Sequence, residues 1–385
     1  MPSYRRRSEP LLLDHSVKHG WGYRLRQRLP KWRWRIPVPR PTRQQLRLAA
    51  GAAILAVVSA VTLIAWKLYT ERSARLIPGE VLLGRNAPLG GIRLFPDDNP
   101  WNTPVDDRPV HPKSDIWLET IGTHRALHPD FGTNRLGNRL YGIPYVVVTR
   151  DDNLGQTPEF SYAEQSDDGL YPIPDNPPIE AGGDRHVLIV DRDEWRLYEL
   201  YRVTGSPLVW RAGSGAIFDL GSNASRPRNW TSADAAGLPI LPGLVRADEV
   251  YDLGEIRHAL RFTLPRTHNS FLYPARHQAS HLGDSRFPPM GMRMRLKASV
   301  DLSDFPEGAR VIAEALKRYG MMLADNGGAM YLTGTADRRW KRRDTEALKR
   351  LRVGDFEVVV PPSPPASDTT VLREIEAGLP GFSEQ

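Results

Sequence analysis

The chain has 385 residues, a net charge of +7, 34 prolines, 32 glycines and no cysteine. The missing cysteine excludes disulfides, thiolate nucleophiles and cysteine-ligated zinc in one step. The charge argues against a nucleic-acid-binding body: residues 1–47 hold 13 Lys and Arg against Glu9 and Asp14, a balance of +11 that leaves −4 for the rest of the chain, and no nucleic-acid-reading motif accompanies it.

In chain order, residues 1–47 read as a basic tail, with RRR at 5–7 and KWRWR at 31–35 suited to lipid headgroups. The next 19 residues, LAAGAAILAVVSAVTLIAW at 48–66, carry no charge. As a helix they would span about 28 Å, close to the hydrocarbon thickness of a bilayer. A cleaved signal peptide would have a far shorter charged region and a small-x-small cleavage site. The pattern therefore predicts a single transmembrane helix with the lipid bilayer as partner. The strongly positive flank before it puts the amino terminus in the cytoplasm and the main domain outside. Residues 67–85 read as a linker, 86–360 as one extracytoplasmic β-rich domain and 361–385, opening PPSPPASDTT, as a Pro-rich disordered tail.

Within 86–360, short alternating runs separated by Gly, Pro, Asn and Asp predict an antiparallel, jelly-roll-like β-sandwich with one or two covering helices. HVLIVDRDEWRLYELYRV predicts a hairpin turning at 191–194. MRMRLKASV alternates, with Met292, Met294 and Leu296 on one face and Arg293, Arg295 and Lys297 on the other. FPEGARVIAEALKRYG predicts a helix burying Val311, Ile312, Ala315 and Leu316 and stopping at Gly320. A second hairpin is expected where MMLAD and AMYLTG flank Asn326-Gly327.

The chain lacks GxSxG, HExxH, GxxxxGK[ST] and a strand followed by GxGxxG, so no motif indicates a cofactor. What remains is carboxylates and histidines near aromatic rings. Alternation puts Glu199 on one face with Trp195, Leu197 and Tyr201. If that face is inward, burial raises its pKa, as a glycosidic general acid requires. Asp219 and Asp234 are candidates for the second carboxylate. His258, between Glu255 and Arg261, would orient a carboxylate or a substrate hydroxyl. Trp195, Tyr201, Arg261, Arg293, Arg295 and Lys297 are the substrate-binding candidates, the last three as a cationic stripe facing an acidic polymer. The plainer alternatives are a Glu199 paired with an arginine, a core histidine and a solvated basic face. His277 and His281 stand i, i+4, but Pro274 suggests a loop and no third ligand is indicated, so no metal is assigned. Asp325 in LADNGG reads as a turn residue, with an acid at the rim of a cleft as the alternative.

The segment TSADAAGLPILPGLVRADEV, 231–250, follows neither the helical nor the strand period. It is expected to be a loop pinned by its apolar residues, with Ser232 accepting backbone N–H bonds, Gly237 ending a turn and Asp234 held in a fixed direction. Together FPDDNPWN, GDRHVLIVD, TSADAAGLPILPGLVR, HALRFT, PPMGMRMRLKA and ADNGG resemble a family of extracytoplasmic microbial proteins, over roughly residues 93–359. The resemblance implies one secreted or surface-displayed domain and carries no activity or catalytic residue with it. A membrane anchor would be a departure from the soluble form. The resulting expectation is a membrane-anchored domain acting on polysaccharide or another envelope polymer, in its sharpest form a glycoside hydrolase with a carboxylate pair. The alternative is a non-catalytic envelope module that binds a glycan or a protein.

Overall fold

The computed structural model describes residues 81–149 and 155–376, together with Thr42 and Ser59. Its main strands follow in the order β1 (Gly84–Arg85), β2 (His128–Asp130), β3 (Tyr145–Val148), β4 (Val187–Asp191), β5 (Arg196–Tyr201), β6 (Ser214–Asp219), β7 (Leu260–Leu264), β8 (Arg293–Leu296), β9 (Met321–Asn326), β10 (Tyr331–Thr333) and β11 (Phe356–Val359). Five of them form one sheet in the order β1-β3-β4-β5-β6, and six form another in the order β11-β8-β9-β7-β10-β2. Four α-helices among the described residues are α1 (Ser114–Ile121), α2 (Glu307–Arg318), α3 (Arg342–Leu348) and α4 (Thr369–Glu376).

The five-stranded sheet is apolar on both faces, and alternation sorts its residues. Tyr145, Val147, Leu188, Val190 and Leu197 enter the main core, while Val146, Val148, Val187, Ile189 and Leu200 enter a second cluster with Tyr171 and Trp210. The six-stranded sheet adds Leu260, Phe262, Met294, Leu323 and Phe356 to the same main core. The first predicted hairpin is present: β4 and β5 run antiparallel, with Asp191 opposite Arg196. Asp191 Oδ1 accepts the N–H groups of Asp193 and Glu194 at 2.9 and 3.0 Å, a local turn that the sequence alone specifies. Helix α2 buries Ile312, Ala315 and Leu316 as its spacing predicts, while Val311 is only half-buried, and Gly320 follows at φ 66°.

Four expectations are corrected. The protein is mainly β, but the sheets are mixed and not those of an antiparallel jelly roll: β3 with β4, β7 with β9 and β10 with β2 are parallel pairs. Long connections between such pairs, among them helices, replace the tight turns that short alternating runs suggest. The transmembrane helix is not found: among the described residues no helix is long and apolar enough to cross a membrane, and residues 48–66 lie, Ser59 apart, outside the described residues, as do the basic tail, Thr42 apart, and most of the 67–85 linker. The second hairpin fails because β7 inserts between β9 and β10, parallel to the first and antiparallel to the second. Finally, the Pro-rich segment is ordered through α4, since Asp368 and Val371 are fully buried and Asp368 Oδ2 accepts a hydrogen bond from Ser225 Oγ at 2.6 Å.

Candidate functional site

The loop at 231–250 is the key to the site. From Ser232 to Val250 every residue except Ala235 is buried. Ser232 Oγ accepts the Asp234 N–H at 2.9 Å. Gly237 takes φ 70°, where a side chain would lie 2.4 Å from the Trp230 carbonyl oxygen. The strongest pin is Glu199. It is fully buried on the inner face of β5, its carboxylate accepting the Ile240 N–H at 2.8 and 3.0 Å and the Leu241 N–H at 2.9 Å. Burial pushes its carboxyl up to about 7, against the pull of those two backbone bonds. The alternation and the raised pKa are as anticipated, but the acid faces backbone amides and no solvent.

The other sequence candidates scatter. His258 is buried, with Nδ1 2.8 Å from the Ala259 carbonyl oxygen and Nε2 3.1 Å from Glu249. Asp219 Oδ1 accepts the Gly221 N–H at 2.9 Å in the turn after β6. Trp195 is buried in the core, its backbone at φ 51°. The cationic stripe does not face solvent. Arg293 is fully buried and donates to the carbonyl oxygens of Tyr319, Pro100 and Thr103. Arg295 pairs with Glu357 at 2.8 Å and also donates to the Val105 and Arg108 carbonyls, while Lys297 donates to the Gly354 carbonyl at 2.8 Å. Strand alternation assigned these cations a free face, but the chain at 100–108 and β11 cover it. His277 Nδ1 lies 2.8 Å from the Ala235 carbonyl oxygen and His281 is exposed. Among the described residues no group of three or more potential ligands is placed to hold a metal ion.

Two candidates do come together. Arg261 on β7 grips Asp234 through Nε to Oδ2 at 2.6 Å and Nη2 to Oδ1 at 2.7 Å. Its Nη1 donates to Thr333 Oγ1 at 2.6 Å, and its Nη2 stands 3.7 Å from Asp325 Oδ2. Asp325 is hydrogen-bonded to Asp234. The neighbouring Asp234 charge disfavours a second negative charge on Asp325. Burial first, and then the charge of Asp234, push Asp325 up to about 8, although Arg261 and His186 act against this. Asp234 is wholly enclosed, whereas 24% of the Asp325 side chain is accessible.

The surroundings are ionic too. His186 Nδ1 lies 2.5 Å from Glu180 Oε2, and Nε2 lies 3.1 Å from the Ala233 carbonyl oxygen. Burial alone would lower the imidazole, but the Glu180 carboxylate more than offsets it and lifts His186 to about 9. Asp130, the register partner of Thr333, is raised by burial and then by Glu180. Tyr201 is half-buried beside His186, the rings 5.6 Å apart, and feels the charge of Asp325. Across the sheet Asp325, Thr263, Tyr331 and His128 occupy one transverse row of register partners. The Tyr331 and His128 rings stack at 4.0 Å. Just before Tyr331, the buried Met330 adopts φ 60°, a strained backbone for an unbranched non-glycine residue.

Sequence reasoning singled out Asp234 and Arg261 but not their union, and it missed Glu180, His186 and Asp130. No local signal marks these three, because their partners come from distant segments. Asp325 was legible only as a turn residue or a rim acid. The chain matches no protein-family model, no curated protein and no solved structure.

Proposed function

We propose that Asp325 is the general acid of a hydrolase acting on polysaccharide. The observation that carries this reading is the placement of a partly accessible Asp325, its carboxyl raised to about 8, beside an enclosed Asp234 gripped by Arg261. A carboxyl that keeps its proton near neutrality can deliver it to a departing oxygen. The anion left behind would be stabilised by the Arg261 guanidinium 3.7 Å away. Asp234 is too deeply buried to touch a substrate, so it acts as a positioning residue that holds the proton on Asp325. The hydrogen-bonded pair is also tighter than the roughly 5–9.5 Å separating the two acids of ordinary glycosidases. The second acid is therefore sought among the other carboxyls of the cluster, of which Asp130 is raised. The stacked Tyr331 and His128 in the same row as Asp325 offer a sugar ring an apolar face.

The test is release of new reducing ends from a panel of neutral and acidic polysaccharides by the full chain. Activity is expected to fall as the pH rises through about 8, where Asp325 loses its proton. Asp325→Asn should lower kcat by about 100-fold or more. Absence of turnover on every polymer, or full turnover by that variant, would defeat the reading.

A further inference from the structure

A cavity of about 710 Å³ opens between β1, the short strand pair within 135–140, residues 176–179 and the loop at 336–339. Five arginines line it, namely 85, 135, 139, 338 and 339, against the single acid Asp337. That acid is already engaged by Arg339 at 2.8 Å, and Arg339 also reaches Asp252 at 2.8 Å. Arg135 donates to the Asn138 carbonyl oxygen at 2.7 Å, and Arg139 makes only long contacts of 3.5 and 3.4 Å to the carbonyl oxygens of Ile179 and Glu180. Among the described residues Arg85 and Arg338 have neither an ion pair nor a side-chain hydrogen bond. Burial, and then repulsion from Arg139 and Arg338, push the Arg85 guanidinium below its usual range.

Guanidinia gathered around one hollow without matching acids repel each other until an anion arrives. Their planar forks fit carboxylate and phosphate oxygens two at a time. The volume suits a ligand the size of a short oligosaccharide. The walls add Asn138 and Asn176 as hydroxyl partners and Leu83 and Ile179 as apolar surface, but no aromatic ring on which a nucleobase would stack. We propose that this cavity binds a sugar-sized ligand carrying two or more carboxylate or phosphate groups. The inference goes beyond the acid–base reading and stands without it, although Ile179 in the cavity wall is followed directly by Glu180 of the ionic network.

Isothermal titration calorimetry on the full chain tests it, with oligogalacturonate, tripolyphosphate and a neutral cello-oligosaccharide as probes. At least one of the two anions is expected to bind with a Kd that weakens from low to physiological salt, while the neutral sugar does not bind. The double variant Arg85→Gln/Arg338→Gln should weaken that Kd about tenfold or more at an unchanged Tm, since neither side chain holds a protein group. Binding of oligogalacturonate alone would identify a carboxylated sugar as the ligand, and binding of tripolyphosphate alone would identify phosphate. Failure of both anions, equal binding of the neutral sugar, or wild-type affinity in the double variant would overturn the proposal. Asp325→Asn should leave the affinity unchanged, so loss of the hydrolase reading and loss of this one are separable.

Discussion

Around Arg246, two acids and a histidine close a buried cluster: Glu249 Oε1 stands 2.6 Å from the guanidinium, Asp248 Oδ1 3.6 Å, and His258 takes the other Glu249 oxygen at 3.1 Å. Around Arg261 the residue types are nearly the same, with Asp234, Asp325 and, nearby, His186. The outcomes differ. In the first cluster, arginine and histidine hold Glu249 below its ordinary carboxylate range despite burial. In the second, Arg261 spends its bidentate face on Asp234, and burial with the Asp234 charge pushes Asp325 up to about 8, which favours its protonated form. Neutralising a buried acid with a fixed cation gives a structural element that titrates little. Neutralising it with a proton leaves a group able to give that proton away, and here that group reaches solvent.

The comparison breaks most sharply at the arginines. Arg246→Met strands two buried acids in the closed cluster and should cost about 3–5 kcal/mol at both mildly acidic and mildly basic pH. Arg261→Met should cost a similar amount at about pH 8. It should cost less, by about 1 kcal/mol or more, near pH 5, because the dyad can take up a second proton in place of the lost cation. Denaturant unfolding at the two pH values decides it. Equal pH dependence in the two variants would mean that Asp325 is not held protonated. If Arg246→Met does not fold, Arg246→Lys, which keeps the charge, supplies the reference.

Smaller effects sharpen the contrast with Glu199, a buried acid held by backbone amides. Its Oε1 accepts the N–H groups of both Ile240 and Leu241 and its Oε2 accepts that of Ile240 as well, so in glutamine the oxygen can keep both amides but the NH2 group, a donor, would face the Ile240 N–H. Glu199→Gln is therefore expected to cost about 1–3 kcal/mol while leaving any polysaccharide turnover by the folded variant within a factor of a few of wild type. A loss of turnover without a loss of stability would move Glu199 from the scaffold to the chemistry.

What the sequence makes legible is what is local. The β4–β5 hairpin was readable because Asp191 builds its own turn, and α2 because its apolar residues recur at helical spacing. Alternation grouped Glu199 with Trp195, Leu197 and Tyr201 on one face, but which face is inward is set by packing. The β9–β10 pair was misread because Asn326-Gly327 carries a strong turn signal, while β7, which separates the two strands, is brought in by non-local pairing that no short window records. The same limit governs the site. Asp234 and Asp325 lie on distant segments and meet only through the packing of the loop at 231–250 against β7 and β9. Arg293 looked like a surface cation because alternation cannot reveal that carbonyls of Tyr319, Pro100 and Thr103 cover its face.

The last test concerns the proton itself. An aspartate in the unfolded chain titrates near 4, whereas in the folded protein Asp325 is pushed up to about 8. Between those values the folded state holds more protons than the unfolded state, so this contribution to stability is complete below about pH 4 and is lost as the pH rises towards 8. Glu199, raised to about 7, and His186, raised to about 9, add losses of the same sign, from about pH 4.3 to 7 and from about 6.5 to 9 respectively. Their contributions are common to wild type and Asp325→Asn, so the difference between the two proteins isolates Asp325. Asparagine cannot ionise, keeps a donor for Asp234 and should flatten the decline. The expected result is a wild-type Tm that drops more steeply than that of the variant between about pH 4 and 8, the two curves separating steadily over that range. Parallel curves would place the Asp325 proton in solution, and the distinction between the two arginine clusters would then have no electrostatic basis.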